Sequence, residues 1–261
     1  MTVELGLDGK VFVVTGGSQG VGGAIAEALA DAGAAGIVIA GRDAAKGAAT
    51  RARLEARGAE ARFVAGDLAE VRTCRQIVAE ADRAFGRVDG LVNAAGSTAR
   101  GTLDDTTEAL WDELFHVNVR APFFLSQEAV RLMRRDGIEG TIVNIATMSS
   151  HGGQPKLAGY AAAKGALVVL TRNLAHALRH ERIRVNAINI GWTETPNEHA
   201  VQRAEGQPEN WLEAAEAAQP FGRLVKPADV AHLCLYLLGP LSGVMTGAVI
   251  DHDQMVMGAY D

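Results

Sequence analysis

Tyr160 and Lys164 stand four residues apart in Tyr160-Ala161-Ala162-Ala163-Lys164. The alanines between them are good helix formers, and a helix points side chains four apart into the same space. A tyrosine with a pKa of about 10 is a poor base at neutral pH unless a nearby cation favours its phenolate, and Lys164 is placed to supply that cation. Such a pair can exchange a proton with an oxygen of a bound molecule. The same spacing occurs on many exposed helices, so the pair gains meaning only from what surrounds it.

A second run with chemical potential is Thr15-Gly16-Gly17-Ser18-Gln19-Gly20-Val21-Gly22. It follows an apolar strand and opens a helical run of Ala, Ile and Leu that continues through Ala32. A strand-to-helix turn of this kind offers backbone N–H groups and a helix N-terminus to a pyrophosphate, which makes Gly16, Ser18, Gln19, Gly20, Val21 and Gly22 candidate dinucleotide contacts. Gly16 permits the sharp turn, Gly20 lets the backbone approach phosphate, and Gly22 lets the helix lie close to the sheet. Taken alone, a Gly-rich loop is weak evidence and is equally a turn with no ligand.

The dinucleotide fingerprint places an acid about 20 positions further on, to hold the ribose 2′-hydroxyl. Here the second strand ends Ala40-Gly41-Arg42-Asp43. Gly41 takes the usual place of that acid, while the fork of Arg42 can clamp a 2′-phosphate. NADP(H) is therefore expected, with NAD(H) as the alternative that Asp43 keeps open. Asp43 can equally be a helix N-cap beside a solvated Arg42. The third strand is expected to end at Asp67, before Leu68, with a carboxylate at the buried edge for an adenine amino group. The fourth ends Asn93-Ala94-Ala95-Gly96. Ligands of open α/β sheets gather outside the carboxyl ends of the strands, so four such ends converge on one crevice.

The elements that must position these residues are short β-branched runs alternating with longer Ala-rich runs of helical period. That alternation predicts an α/β, doubly wound, Rossmann-like parallel sheet of about seven strands with helices on both faces. The strands are expected at Val11 to Thr15, Gly36 to Ala40, Arg62 to Ala65, Gly90 to Asn93, Thr141 to Ile145, Arg184 to Ile190 and Ala248 to Asp251. Gly33, Gly58, Gly86 and Gly137 each stand where a helix should close before the next strand. No linker or repeat divides the chain, so residues 1–261 are expected to form one domain. The irregular stretch from Gly191 to Gly222, interrupted by Pro196, Pro208 and Pro220, reads as a substrate loop.

With 261 residues, 48% of them hydrophobic, the chain can bury a full α/β core. A net charge of −6 with scattered basic residues excludes a phosphate-tracking stripe, so nucleic acid is not an expected partner. No stretch approaches the roughly 18 apolar residues of a membrane span, and Met1 to Gly9 carries acids where a secretory leader needs basic residues. Cys74 and Cys234 lack ligand spacing, as do the histidines, so no metal site is expected. A cytoplasmic location follows as the expectation.

Taken together, Thr15 to Gly22, Asn93 to Gly96, Asn118, the Tyr160/Lys164 pair and Asn186 to Pro196 resemble the short-chain dehydrogenase/reductase family over nearly the whole chain. The resemblance implies that Tyr160 exchanges the substrate proton, and that Lys164 holds the nicotinamide ribose while lowering the Tyr160 pKa. It implies that Asn118 holds a water of the proton relay, and that Gly191, the Thr193 backbone and the Thr195 hydroxyl meet the cofactor near its carboxamide. Asn93, Ala94 and Gly96 would border the cofactor. The family's polarising serine falls at Thr147, 13 positions before Tyr160, a departure that makes Ser149 the competing hydroxyl. Two further departures are Ile190-Gly191 in place of Pro-Gly and Asp253-Gln254-Met255 in place of Asp-Gly-Gly; the latter should alter the pocket floor or a subunit contact.

The resemblance also implies a homotetramer packed through the helices from Ala121 to Arg135 and from Tyr160 to His180. Their apolar residues, Phe123, Phe124, Val130, Leu132 and Met133 with Leu167, Val168, Leu170 and Leu174, read as more apolar surface than one sheet face covers. The expected activity is hydride transfer between a nicotinamide cofactor and a small ketone or secondary alcohol. Reduction of carrier-bound 3-oxoacyl groups and non-catalytic sensing of a dinucleotide are the alternatives. The acidic balance disfavours the former, and the Tyr160/Lys164/Asn118 set the latter. Pocket-shaping loops contribute Ser97, Thr98, Arg100, His151, Gln154, Trp192, Glu194, Asn197, His199 and Trp211. That polar set with two flat apolar surfaces favours a sugar or polyol over a steroid.

Overall fold

The computed structural model describes residues 5–258. Its strands are β1 (Val11–Thr15), β2 (Gly36–Gly41), β3 (Glu60–Ala65), β4 (Gly90–Asn93), β5 (Thr141–Thr147), β6 (Arg184–Ile190) and β7 (Val249–His252). They form one sheet in the order β3-β2-β1-β4-β5-β6-β7, and every adjacent pair is parallel. The direction of winding reverses between β1 and β4, and a crevice opens there beyond the strand ends.

The helices are α1 (Gly20–Asp31), α2 (Ala44–Ala56), α3 (Val71–Phe85), α4 (Glu108–Phe115), α5 (Ala121–Asp136), α6 (Ala158–Leu178), α7 (Pro196–Ala204), α8 (Trp211–Ala217) and α9 (Pro227–Leu238). A π-helical turn, His116–Arg120, joins α4 to α5. Alternate residues of the central strands feed two cores. Phe12, Val14, Ile37 and Ile39 pack with Ile25, Leu29 and Leu235, whereas Val13 and Val38 pack with Ile77, Leu125 and Met133. Strands covered on both sides must be apolar throughout, which is why β1 reads Val-Phe-Val-Val-Thr and is buried along its length. Gly86 and Gly137 close α3 and α5 in the left-handed conformation.

Three expectations need correction. β3 ends at Ala65, where the strand bounds were expected, but Asp67 two residues beyond it is exposed rather than at a buried edge. The stretch from Gly191 to Gly222 is not irregular but carries α7 and α8. Pro196 begins α7, where its missing N–H costs nothing, so it starts a helix instead of breaking one. Lastly, Val130, Leu132, Met133 and Leu167 are core residues, leaving Phe123 and Val169 as the large apolar side chains exposed on α5 and α6.

Among the described residues no helix is long and apolar enough to cross a membrane, and no group of His, Cys, Asp and Glu could hold a metal ion.

Candidate active site

One cavity of about 1060 Å³ runs along the carboxyl ends of the strands. At one end lies the turn between β1 and α1. Gly16, with φ +66°, has no room for a side chain: a Cβ there would stand 2.9 Å from the Ala95 backbone. At Gly22 a Cβ would come within 2.5 Å of the Gly16 carbonyl oxygen. Backbone therefore meets backbone at this point. Gln19, the N-cap of α1, makes no side-chain cap bond, and the first turn of α1 has no acid. The positive end of α1 is thus left open to the cavity, as an anion requires.

Beside this turn a Cβ on Gly41 would lie 2.7 Å from the Ser18 Oγ, so a side chain there would require the Ser18 hydroxyl to turn aside. Arg42 is exposed, lines the cavity and has no ion-pair or hydrogen-bond partner among the described residues. Asp43 is engaged as the N-cap of α2, accepting from the Lys46 N–H at 3.0 Å. Lys46 also lines the cavity and donates from Nζ to Gln19 Oε1 at 2.8 Å, a second cation that sequence spacing did not single out. Asp67 and Leu68 line the same end, and the Asp67 carboxylate accepts the Ala69 N–H at 2.9 Å.

Ala94 and Gly96 border the cavity, but Asn93 does not. Its amide donates to Asn144 Oδ1 at 2.8 Å, and Asn144 donates to Thr171 Oγ1 at 2.9 Å, so Asn93 ties β4 through β5 to α6. Asn118 is fully buried in the π-helical turn and donates to the Ser97 carbonyl at 2.9 Å. Its Oδ1 has no partner and would lie 3.0 Å from a Cβ on Gly96, a position where Lys164 Nζ is also near at 3.5 Å.

Tyr160, Lys164, Thr147 and Ser149 all line this cavity. Tyr160 and Lys164 are both buried on α6, with the ammonium 6.0 Å from the phenol ring centre and donating to the Ile145 carbonyl at 2.7 Å. Burial pushes the Tyr160 phenol up to about 12; a hydrogen bond with Thr147 and the charge of Arg100 pull it down, and the charge of Glu198 pushes it further up. Burial lowers Lys164 to about 8. The expected lowering of Tyr160 by Lys164 is therefore not seen in the protein alone, because burial disfavours both charged forms. Ser149 donates to Gln154 Oε1 at 2.5 Å, the Thr147 hydroxyl donates to Ser149 Oγ at 3.3 Å, and both hydroxyls line the cavity with Tyr160.

Thr193 and Thr195 line the cavity, but their hydroxyls have local partners. Thr193 donates to the Gly191 carbonyl at 2.9 Å, and Thr195 caps α7 by accepting the Glu198 N–H at 3.1 Å. Gly191 is needed as glycine, since a Cβ would lie 2.0 Å from Asp253 Oδ1. Gln254 accepts the Phe221 N–H at 2.8 Å and donates to the Arg223 carbonyl at 2.7 Å, fastening the far end of the 191–222 segment. Met255 is exposed and lines the cavity.

The substrate end gathers Ser97, Thr98, Arg100, Gln154, Trp192 and Asn197 from the expected polar set. His151, Glu194, His199 and Trp211 are placed elsewhere. His151 pairs with Asp251, Glu194 with His199 and Lys226, and Trp211 stacks beside Trp192 at 6.0 Å. Glu113, Glu198 and Gln202 line this end without having been expected there. The one signal for Glu198 was its place three residues after Thr195, which reads as helix capping.

An open helix N-terminus and a turn with no space for side chains together fit a nicotinamide dinucleotide at one end. A carbonyl compound fits the other. Residues 16–254 match a family described as enoyl-(acyl carrier protein) reductase. The chain is 33% identical, over 97% of its length and 97% of the relative's, to an NADP-dependent (R)-specific alcohol dehydrogenase of Lentilactobacillus kefiri. Among solved structures it is similar to a short-chain type dehydrogenase/reductase of Mycobacterium marinum (TM-score 0.88, 27% identity, 98% of each chain). Another similar structure, from Beutenbergia cavernae, is provisionally assigned as an NAD(P)-dependent gluconate 5-dehydrogenase with bound NADP (TM-score 0.86, 32% identity, 97% of this chain and 98% of the other). With these matches covering nearly its full length, this chain belongs to the short-chain dehydrogenase/reductase family.

Proposed function

We propose that this NAD(P)-dependent oxidoreductase of CH–OH and carbonyl groups uses NADP(H) to interconvert a small polyhydroxy ketone, such as a sugar or polyol derivative, and its secondary alcohol. The observation that carries the reading is the meeting of Tyr160 and Thr147 with the glycine-built cradle inside one cavity. Bound nicotinamide supplies or accepts the hydride. The protein's residues handle the proton. A Tyr160 phenol held near 12 is protonated at neutral pH, ready to give its proton to a carbonyl oxygen during reduction. The Thr147 hydroxyl beside it donates a hydrogen bond where alkoxide charge develops. Lys164 and Asn118 position the pair: the Lys164 ammonium is anchored on Ile145 near the phenol, and the unpaired Asn118 Oδ1 can hold a relay water. Ser18, Gln19, Gly20 and Val21 would receive the pyrophosphate, and Gly191, Thr193 and Thr195 the nicotinamide end.

Free Arg42 with neighbouring Lys46 supports NADP(H) over NAD(H), because Asp43 is engaged in capping α2. The 191–222 segment would cover the substrate within a single-domain chain. Exposed Phe123 and Val169 support packing of α5 and α6 against other copies in a homotetramer, working in the cytoplasm. A carrier-bound 3-oxoacyl substrate is the competing reading, favoured by the description of the matching family. Glu113 and Glu198 in the substrate end, and the net charge of −6, disfavour it. The test is a spectrophotometric screen of polyhydroxy ketones, aliphatic ketones and a 3-oxoacyl thioester with NADPH and NADH. Faster NADPH oxidation with polyhydroxy ketones is expected; preference for the thioester or for NADH would contradict the corresponding part.

A further inference from the structure

Glu198 is the third residue of α7, after the Thr195 cap. A glutamate there commonly reaches back to the cap's own N–H. Here its Oε1 instead accepts two neutral donors, Trp192 Nε1 at 2.8 Å and Gln202 Nε2 at 2.6 Å. Its Oε2 has no hydrogen-bond partner and the carboxylate no ion-pair partner among the described residues, although the side chain lines the cavity. Cations that could neutralise it are committed elsewhere: Arg100 to Glu205, and Lys226 to Glu194 and Glu216. The carboxylate is close enough to Tyr160 for its charge to hold the phenol up. An anion fixed by two donors, with one oxygen spare in the cavity that Tyr160 also lines, is an acceptor awaiting a donor.

We propose that Glu198 determines substrate specificity: its Oε2 accepts a hydrogen bond from a hydroxyl or ammonium on the carbon next to the reacting carbonyl, and its charge excludes a carboxylate from that place. This rests on the polyhydroxy-ketone reading above. The exposed carboxylate of Glu113, which accepts the Ser97 hydroxyl at 2.9 Å, adds to the negative character of this end.

Three small methyl ketones separate the possibilities: hydroxyacetone and butanone, which are equal in size, and acetoacetate, which carries a carboxylate, each assayed with NADPH. A hydrogen bond to a charged acceptor is worth about one to two decades, so the wild type should prefer hydroxyacetone over butanone by about tenfold to a hundredfold in kcat/KM. Glu198→Gln keeps the shape and turns the spare acceptor into an amide. It should bring the hydroxyacetone-to-butanone ratio to within about threefold, chiefly through KM, and raise kcat/KM for acetoacetate by about tenfold. Glu198→Asp keeps the charge but withdraws it, so it should lose much of the hydroxyl preference while still refusing acetoacetate. A wild-type ratio that survives in Glu198→Gln overturns the role of Glu198 and leaves the polyhydroxy-ketone reading standing. A wild-type ratio near one, or no turnover of any of the three, overturns both.

Discussion

The two ends of the cavity are built from different materials. The cofactor end is made of backbone: a turn in which Gly16 and Gly22 leave no room for a Cβ, and an uncapped helix start. The substrate end is made of side chains from distant segments, such as Trp192, Glu198 and Gln202 from one and Arg100 from another. A backbone cradle follows from strand order and glycine positions, and so can recur unchanged with many substrates. A side-chain lining can be rewritten one residue at a time. In the proposed reaction the chemistry occurs at Tyr160, where the two meet.

The sharpest way to break this division is Tyr160→Phe, which removes the proton at the junction and nothing from either end. It should lower kcat by about 10³-fold, in the range that general acid–base groups contribute, when ketone reduction is followed with NADPH. Near-normal turnover would move the chemistry elsewhere. Thr147→Val tests the other hydroxyl at the junction and should cost about a hundredfold in kcat, as loss of one donor to a developing oxyanion does. Ser149→Ala should be mild by the same assay, because Ser149 is turned towards Gln154. The reverse ranking would transfer the role to Ser149.

How much of each end was legible follows from the same contrast. Gly16, Gly20 and Gly22 announced the cradle because only glycine permits such backbone, and the apolar strands announced their order of burial. Arg42 was legible as the residue beside a missing acid, while Lys46 was not, since its path to the cavity depends on the twist of α2. Glu198 and Gln202 were hidden because a helix period does not say which face looks into a cavity. Asn93 looked like a cavity residue and instead ties strands together, because its side chain points within the sheet towards Asn144. Pro196 looked like a breaker, and its position at the first turn of α7 makes it a starter.

At the cofactor end, Arg42→Leu should shrink the preference for NADPH over NADH by about tenfold to a hundredfold, the worth of one charge-assisted contact. NADH kinetics should change little. If the wild type favours NADH and Asp43→Ala damages its use, this strand end holds a ribose hydroxyl instead.

The last expected effect concerns stability rather than turnover. Burial lowers Lys164 from 10.5 to about 8 in the folded protein, so below pH 8 folding carries the cost of a buried ammonium. The unfolded chain binds the proton more tightly between pH 8 and 10.5, and this contribution to stability rises with pH across that window. Lys164→Met removes it. Denaturant titration without cofactor should therefore show the stability of Lys164→Met relative to wild type falling as pH rises from 8 towards 10.5. A pH-independent difference would mean that Lys164 is not desolvated.

The most direct test of the division between the two ends is NADPH binding to Tyr160→Phe, followed by quenching of tryptophan fluorescence alongside the wild type. A backbone-built cradle that works independently of the proton donor predicts Kd values within about threefold of each other, less than the 1.4 kcal/mol that marks a tenfold change. A Kd raised tenfold or more would contradict it, because Tyr160 would then hold the cofactor rather than act only on the substrate's proton.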